Sequence, residues 1–94
     1  MYKALVACRA GMGSSLLLKI KVDQVIKENN YPIETEHGNL DSLIGYTGDL
    51  FISMEDLAEE LRDTVKYAIG IRNIVDKNEI QSKLEEYLNF ESNQ

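Results

Sequence analysis

Three times along this chain a short apolar run gives way to a segment of helical period. That alternation restricts the fold more than any other feature. Residues 3–8, KALVAC, are rich in strand formers and stop abruptly at RAGMG. Such a run suits a parallel strand covered on both faces. From Ser14 the period changes. Leu17, Leu18, Val22, Val25 and Ile26 recur at helical spacing with Lys19, Lys21, Asp23, Lys27 and Glu28 between them, which predicts an amphipathic helix over 14–28. Asn29-Asn30 ends it, and Pro32 blocks its continuation.

The rest of the chain repeats the theme. Residues 33–37 alternate apolar and polar, as a half-exposed or edge strand does. Gly38-Asn39 reads as a turn and 40–46 as a short helix or loop. A second compact apolar run, DLFIS, covers 49–53. Residues 55–62 read as helix, 65–71 as strand, and 76–88 as a last helix with Ile80, Leu84, Tyr87 and Leu88 on one face. The polar tail, 91–94, is expected to fray. The order β-α-β-(α)-β-α-β-α implies an α/β fold in one domain over 1–94. It is a three-layer sandwich with a parallel sheet, helices on both faces and right-handed crossovers. Sites in such sheets lie beyond the carboxyl ends of the strands, and Cys8 falls at the end of the first.

Composition narrows the function classes. The formal net charge of −6 is the reverse of the basic excess expected of a nucleic-acid binder. Much of it lies in 55–63 and 79–91, which read as solvated helix faces. No run reaches the eighteen or so apolar residues of a membrane helix, and the N-terminus lacks a signal-peptide pattern. A single cysteine cannot form an intrachain disulfide and fits a reducing cytoplasm.

The segment that carries chemistry is Cys8-Arg9-Ala10-Gly11-Met12-Gly13-Ser14-Ser15, a strand-to-helix connection. Gly11 and Gly13 permit backbone angles that let amides turn inward as an anion nest. The helix that follows adds unpaired N–H groups and the positive end of its dipole. Ser14 and Ser15 suit helix N-caps and also offer hydroxyl donors. The same field is expected to acidify Cys8. A free thiol titrates near ~8.5, and ionising it mostly at neutral pH takes about 2.7 kcal/mol. A helix N-terminus supplies only about 0.3–2 kcal/mol, so the loop amides must contribute, helped by Arg9 or a serine hydroxyl. A lone cysteine in a small protein is more often inert core filler; its place at a strand end before a glycine loop and a helix argues for a nucleophile. The spacing matches neither a nucleotide P-loop nor a dinucleotide fingerprint.

This loop, with the helix sequence Ser14-Ser15-Leu16-Leu17-Leu18-Lys19-Ile20-Lys21-Val22-Asp23-Gln24 and the later Gly70-Ile71-Arg72-Asn73, resembles the phosphocysteine loop, first helix and a late shared segment of phosphotransferase-system (PTS) IIB components of the ascorbate/galactitol group, the ascorbate type above all. The resemblance implies a four-stranded parallel sheet related to the low-molecular-weight tyrosine phosphatase and Rossmann-like folds. It also implies a cytosolic phosphocarrier. Cys8 would take a phosphoryl group from a phosphohistidine on a IIA partner and pass it to a sugar, ascorbate-like or related, held by a membrane IIC partner. No cofactor is implied, and a monomer is expected because both partners need Cys8. Phosphatases of the related fold use C-x5-R-[ST]; here Ser14 stands at the arginine position and Ser15 at the hydroxyl position. Without the bidentate clamp, a small cysteine phosphatase is the weaker alternative. A regulatory IIB-like module that keeps the cysteine is the other.

The remaining candidates weigh less. His37, the sole histidine, reads as a solvated residue before the Gly38 turn, and no neighbouring ligand set makes it a metal site. Arg72 and Asn73 follow the last strand and suit either a partner contact or a local turn. Leu16–Leu18 read as core, although with Met12 they could form an apolar docking rim.

Overall fold

The computed structural model describes residues 1–7, 12–38, 41 and 46–92, with backbone alone for 12–14. The strands are β1 (Tyr2–Val6), β2 (Ile33–His37), β3 (Leu50–Met54) and β4 (Ala68–Ile71), and the helices are α1 (Met12–Asn29), α2 (Glu55–Glu60) and α3 (Lys77–Ser92). They form one four-stranded sheet in the order β2-β1-β3-β4, parallel throughout. The α/β architecture and the all-parallel sheet agree with the sequence expectation.

Strand parity sorts the apolar residues into two layers. Ala4, Val6, Leu50, Ile52, Ile69 and Ile71 turn toward α1 and α3, where Leu18, Val22, Val25, Ile80, Leu84 and Tyr87 meet them. Leu5, Ala7 and Phe51 turn the other way and pack under Leu57 of α2. Both parities of β1 are therefore buried, which is why its sequence reads as a continuous apolar run rather than an alternating one. On the edge strand β2, Ile33 is buried and Thr35 and His37 are half-buried, while Glu34 and Glu36 are exposed. At β4, Gly70 permits a close approach: a Cβ there would lie 2.8 Å from the Cα of Glu55, so α2 sits directly on the strand.

Helix ends follow local chemistry. Asn30 adopts a left-handed φ of 54°, Tyr31 N–H donates to Ile26 C=O and Asn30 N–H to Lys27 C=O, the bond pattern of a Schellman cap. Asp76 Oδ1 accepts the N–H of Glu79 at the start of α3. The last helix outlasts its expected end. Glu91 and Ser92 are helical where fraying was expected, and Phe90 packs against the ring of Tyr67 at 5.0 Å, holding the final turn. Conversely, β4 is shorter than the 65–71 expectation. Residues 42–45 of the expected helix or loop, and Asn39 and Leu40 before them, lie outside the described residues.

Tyr31, just beyond α1, donates to Glu85 Oε2 of α3 at 2.5 Å. Burial first, then the hydrogen bond and charge of Glu85, push the Tyr31 phenol up to about 12. The bonds from Tyr31 and Gln81 hold the Glu85 carboxyl below its ordinary value. A phenol whose folded pKa is raised stabilises the fold fully below its unfolded value near ~10, and that contribution is lost as pH rises toward the folded value. Urea midpoints measured between about pH 9 and pH 12 should therefore fall more steeply for the parent protein than for Tyr31→Phe.

Candidate functional site

The carboxyl end of β1 lies between two neighbours. On one side, Val6 is paired with His37 and its carbonyl accepts the Gly38 N–H at 3.1 Å. On the other, Val6 is paired with Ile52, and the buried Ala7 donates its N–H to Ile52 C=O at 3.2 Å. Cys8 is the next residue in the chain. Cys8, Arg9, Ala10 and Gly11 themselves lie outside the described residues.

α1 begins at Met12, two residues before the expected start. Met12, Gly13, Ser14 and Ser15 therefore belong to its first turn and not to the connecting loop. That turn carries no acidic side chain, so nothing in it offsets the positive end of the helix dipole or its unpaired amides.

Ser15 departs from the role of N-cap. It lies inside the helix, is 2% exposed, and its Oγ is 2.6 Å from His37 Nε2. His37 likewise departs from the expectation of a solvated side chain: it is half-buried and turned to α1. The cause is strand parity. Ile33, Thr35 and His37 share the face of β2 that meets α1, where the Thr35 hydroxyl donates to Asp23 Oδ1 and Asp23 Oδ2 accepts from Lys19 at 2.7 Å. The alternation in 33–37 carried this signal, but the residue that His37 would meet depended on a crossover partner absent from the local sequence.

Ser53, at the carboxyl end of β3, is fully buried, and its hydroxyl has no hydrogen-bond partner among the described residues. It shares strand parity with Phe51, and so faces the α2 layer. No group of three His, Cys, Asp or Glu able to hold a metal ion occurs among the described residues.

Arg72 and Asn73 stand beyond β4, with β3 between that strand and β1. Their hydrogen bonds in the structure are local. Glu79 accepts the backbone N–H of Arg72 at 2.8 Å and of Asn73 at 3.0 Å, and Asn73 Oδ1 accepts the N–H of Val75. The Arg72 guanidinium pairs with Glu55 at 2.5 Å, and that hydrogen bond and charge push its pKa up. Beside it, a groove of about 610 Å³ runs along β4 between α2 and α3, lined among others by Arg62, Lys66 and Lys83. It lies away from the carboxyl end of β1. On α1, Leu18 is core as expected, whereas Leu16, Leu17 and Ile20 are 41–49% exposed.

Two outcomes follow from this geometry. Glu79→Ala leaves two backbone amides without their carboxylate, and chemical denaturation should show a loss of about 1–2 kcal/mol, the exposed setting holding it below a buried charged bond. Ser53→Ala removes a buried hydroxyl, so stability should hold or rise by about 1 kcal/mol; a loss well beyond that would reveal a partner for the hydroxyl.

No helix among the described residues is long and apolar enough to cross a membrane. Residues 3–86 match the family model described as PTS system, lactose/cellobiose specific IIB subunit. The chain is similar to the ascorbate-specific PTS system EIIB component of Mycoplasma pneumoniae, with 36% identity over 85 residues, covering 87% of this chain and 90% of the relative. It is also similar to proteins with that description from Escherichia coli O157:H7 and Salmonella typhi, each 29% identical over 93 residues, covering 92% of this chain and 88% of the relative. The family match extends over nearly the whole sheet, α1, α2 and the first ten residues of α3, and the chain belongs to the IIB subunit family of the sugar phosphotransferase system.

Proposed function

We propose that this chain is a cytoplasmic phosphocarrier that holds a phosphoryl group on Cys8 between a IIA donor and a sugar bound by a membrane IIC component. The observation that carries the reading is positional. The sole cysteine directly follows Ala7, which closes a strand buried on both faces, and precedes by four residues a helix whose first turn lacks any carboxylate. Family membership supplies the reaction class.

The chemistry is a pair of substitutions at phosphorus. The Cys8 thiolate attacks the phosphorus of a phosphohistidine; an S–P bond forms, the P–N bond breaks, and the imidazole leaves and takes up a proton. In the second step a sugar hydroxyl attacks. A P–O bond forms, the S–P bond breaks, the thiolate is regenerated, and the hydroxyl proton passes to a base on the acceptor side or to water. The protein's task in both steps is to stabilise charge on the equatorial oxygens and on sulfur. Backbone amides and a helix N-terminus do this without reorganising. The C-x5-R position is Ser14, so no arginine clamp from that position supports attack by water. That suits a carrier, in which hydrolysis is loss. Likeness to the ascorbate-specific relatives makes ascorbate or a related sugar acid the substrate of choice for the assembled system. A monomer leaves Cys8 open to both partners in turn.

Incubation with phosphoenolpyruvate, the general phosphotransfer proteins and an ascorbate-type IIA, followed by intact-mass measurement, should show one added phosphoryl group. Cys8→Ser should abolish it, and peptide mapping under conditions that preserve thiophosphate should place it on Cys8. Absence of label with several active IIA types would overturn the reading, and turnover of an aryl phosphate would then point to a phosphatase.

A further inference from the structure

We propose that β4 is a docking edge for an extended acidic segment of a partner protein, which adds to the sheet as a further strand in the groove between α2 and α3. The inference makes no use of Cys8 and goes beyond the carrier reading.

The sheet order β2-β1-β3-β4 leaves β4 paired on one side only. Phe51 N–H donates to Tyr67 C=O, and Phe51 and Ser53 stand in register with Ala68 and Gly70. A parallel ladder engages alternate residues of each strand. Ile69 and Ile71 therefore turn their bonding groups to β3, while Ala68 and Gly70 turn theirs outward. No hydrogen bond to these outer groups occurs among the described residues. They open into the groove of about 610 Å³. A strand added there sends alternate side chains to opposite faces of the sheet. One face offers Ala58 of α2, the other Lys83 and Phe90 of α3, and the Phe90 ring is 43% exposed.

Charge selects the occupant. The chain carries −6 overall, yet the groove does not share that sign. Arg62 pairs with Glu59 and Arg72 with Glu55. Lys66 and Lys83 enter no ion pair among the described residues, and of the lining carboxylates Glu86 alone is left to set against them. The opposite edge of the sheet is the reverse: β2 exposes Glu34 and Glu36. A second copy is the poorer occupant. An antiparallel β4–β4 pair that sets Ala68 opposite Gly70 also sets Lys66 opposite Arg72, cation against cation. Pairing β4 with the β2 of another copy has no two-fold closure. A segment bound along β4 leaves the carboxyl end of β1 uncovered, because β3 lies between them.

The probe is a capped peptide of about eight residues that alternates Glu and Val, titrated against the isotope-labelled full chain with amide resonances followed by NMR. It should shift the Ala68 and Gly70 amides and protect them from exchange, and its affinity should fall as salt is raised. The same peptide methylated at every backbone nitrogen keeps its charge but loses its donors, and should not bind. A Lys-Val peptide of equal length should not bind either. Lys66→Glu/Lys83→Glu should weaken binding of the Glu-Val peptide about tenfold, the scale of two exposed charge pairs reversed, while its urea midpoint stays at the parent value. Unmoved Ala68 and Gly70 amides would overturn the proposal and leave Lys66 as a charge that keeps other strands off the edge. Equal binding of the methylated or the Lys-Val peptide would overturn it too, as would parent-like affinity of the folded double variant. If the same amides shift with protein concentration alone and sedimentation shows association, the occupant is a second copy and the proposal fails.

Discussion

A strand that is covered on both faces and paired on both edges can send its next residue only out through the end of the sheet. β1 is such a strand: β2 and β3 flank it, α1 lies over one face and α2 over the other. The rest of the molecule is arranged around that constraint. Because every pairing is parallel, all four strands release their chains at one edge. His37 and Gly38, Ala7, Ser53 and Arg72 are therefore brought to the same side of the protein from distant parts of the sequence, and the only thiol follows directly on Ala7. A parallel sheet with crossover helices gathers chemistry in this way without any residue being chosen for long-range contact.

What could be read from the sequence was what depends on neighbours in the chain. The continuous apolar character of residues 3–7 announced burial on both faces, and the spacing of Leu18, Val22 and Val25 announced the inward side of α1. Asn30 and Pro32 marked the end of that helix, which the left-handed Asn30 and its Schellman bonds bear out. What could not be read depended on which elements become neighbours in space. Gly13 reads as a loop residue that lets amides turn inward; it is helical in the first turn of α1, where the amides need no intrahelical partner. Leu16 and Leu17 carry core-like side chains, yet the helix turns them outward because Leu18 and Val22 already fill the interface with the sheet. The last turn of α3 looked polar enough to fray; it persists where Phe90 finds Tyr67, a residue of the β4 approach.

The case of His37 shows the same division at the level of the site. Alternation along 33–37 was visible, and it placed His37 on the side of Ile33. Nothing local said that the strand would lie against α1 or that its last residue would reach the helix beginning. The loop motif drew attention to Ser15 as a cap; the fold instead buries it against an imidazole. For Arg72 and Asn73 the local one of the two readings has its contacts in the structure. They stand at the correct edge of the sheet, but their backbone groups and the Arg72 guanidinium are engaged by Glu79 and Glu55, so their visible work is to shape the turn into α3.

The two helical layers are unequal. One face of the sheet is covered by an eighteen-residue and a sixteen-residue helix, the other by a helix of six residues whose buried side chains are Leu57 and Ala58. Local opening costs least where few apolar contacts must be broken, so backbone amides of α2 should exchange with solvent well before those of α1. The helix that follows the cysteine in the chain, α1, belongs to the firmer layer. The thin layer can thus loosen and re-form while α1 and the strands it covers keep their shape, a division of compliance between the two faces of one sheet.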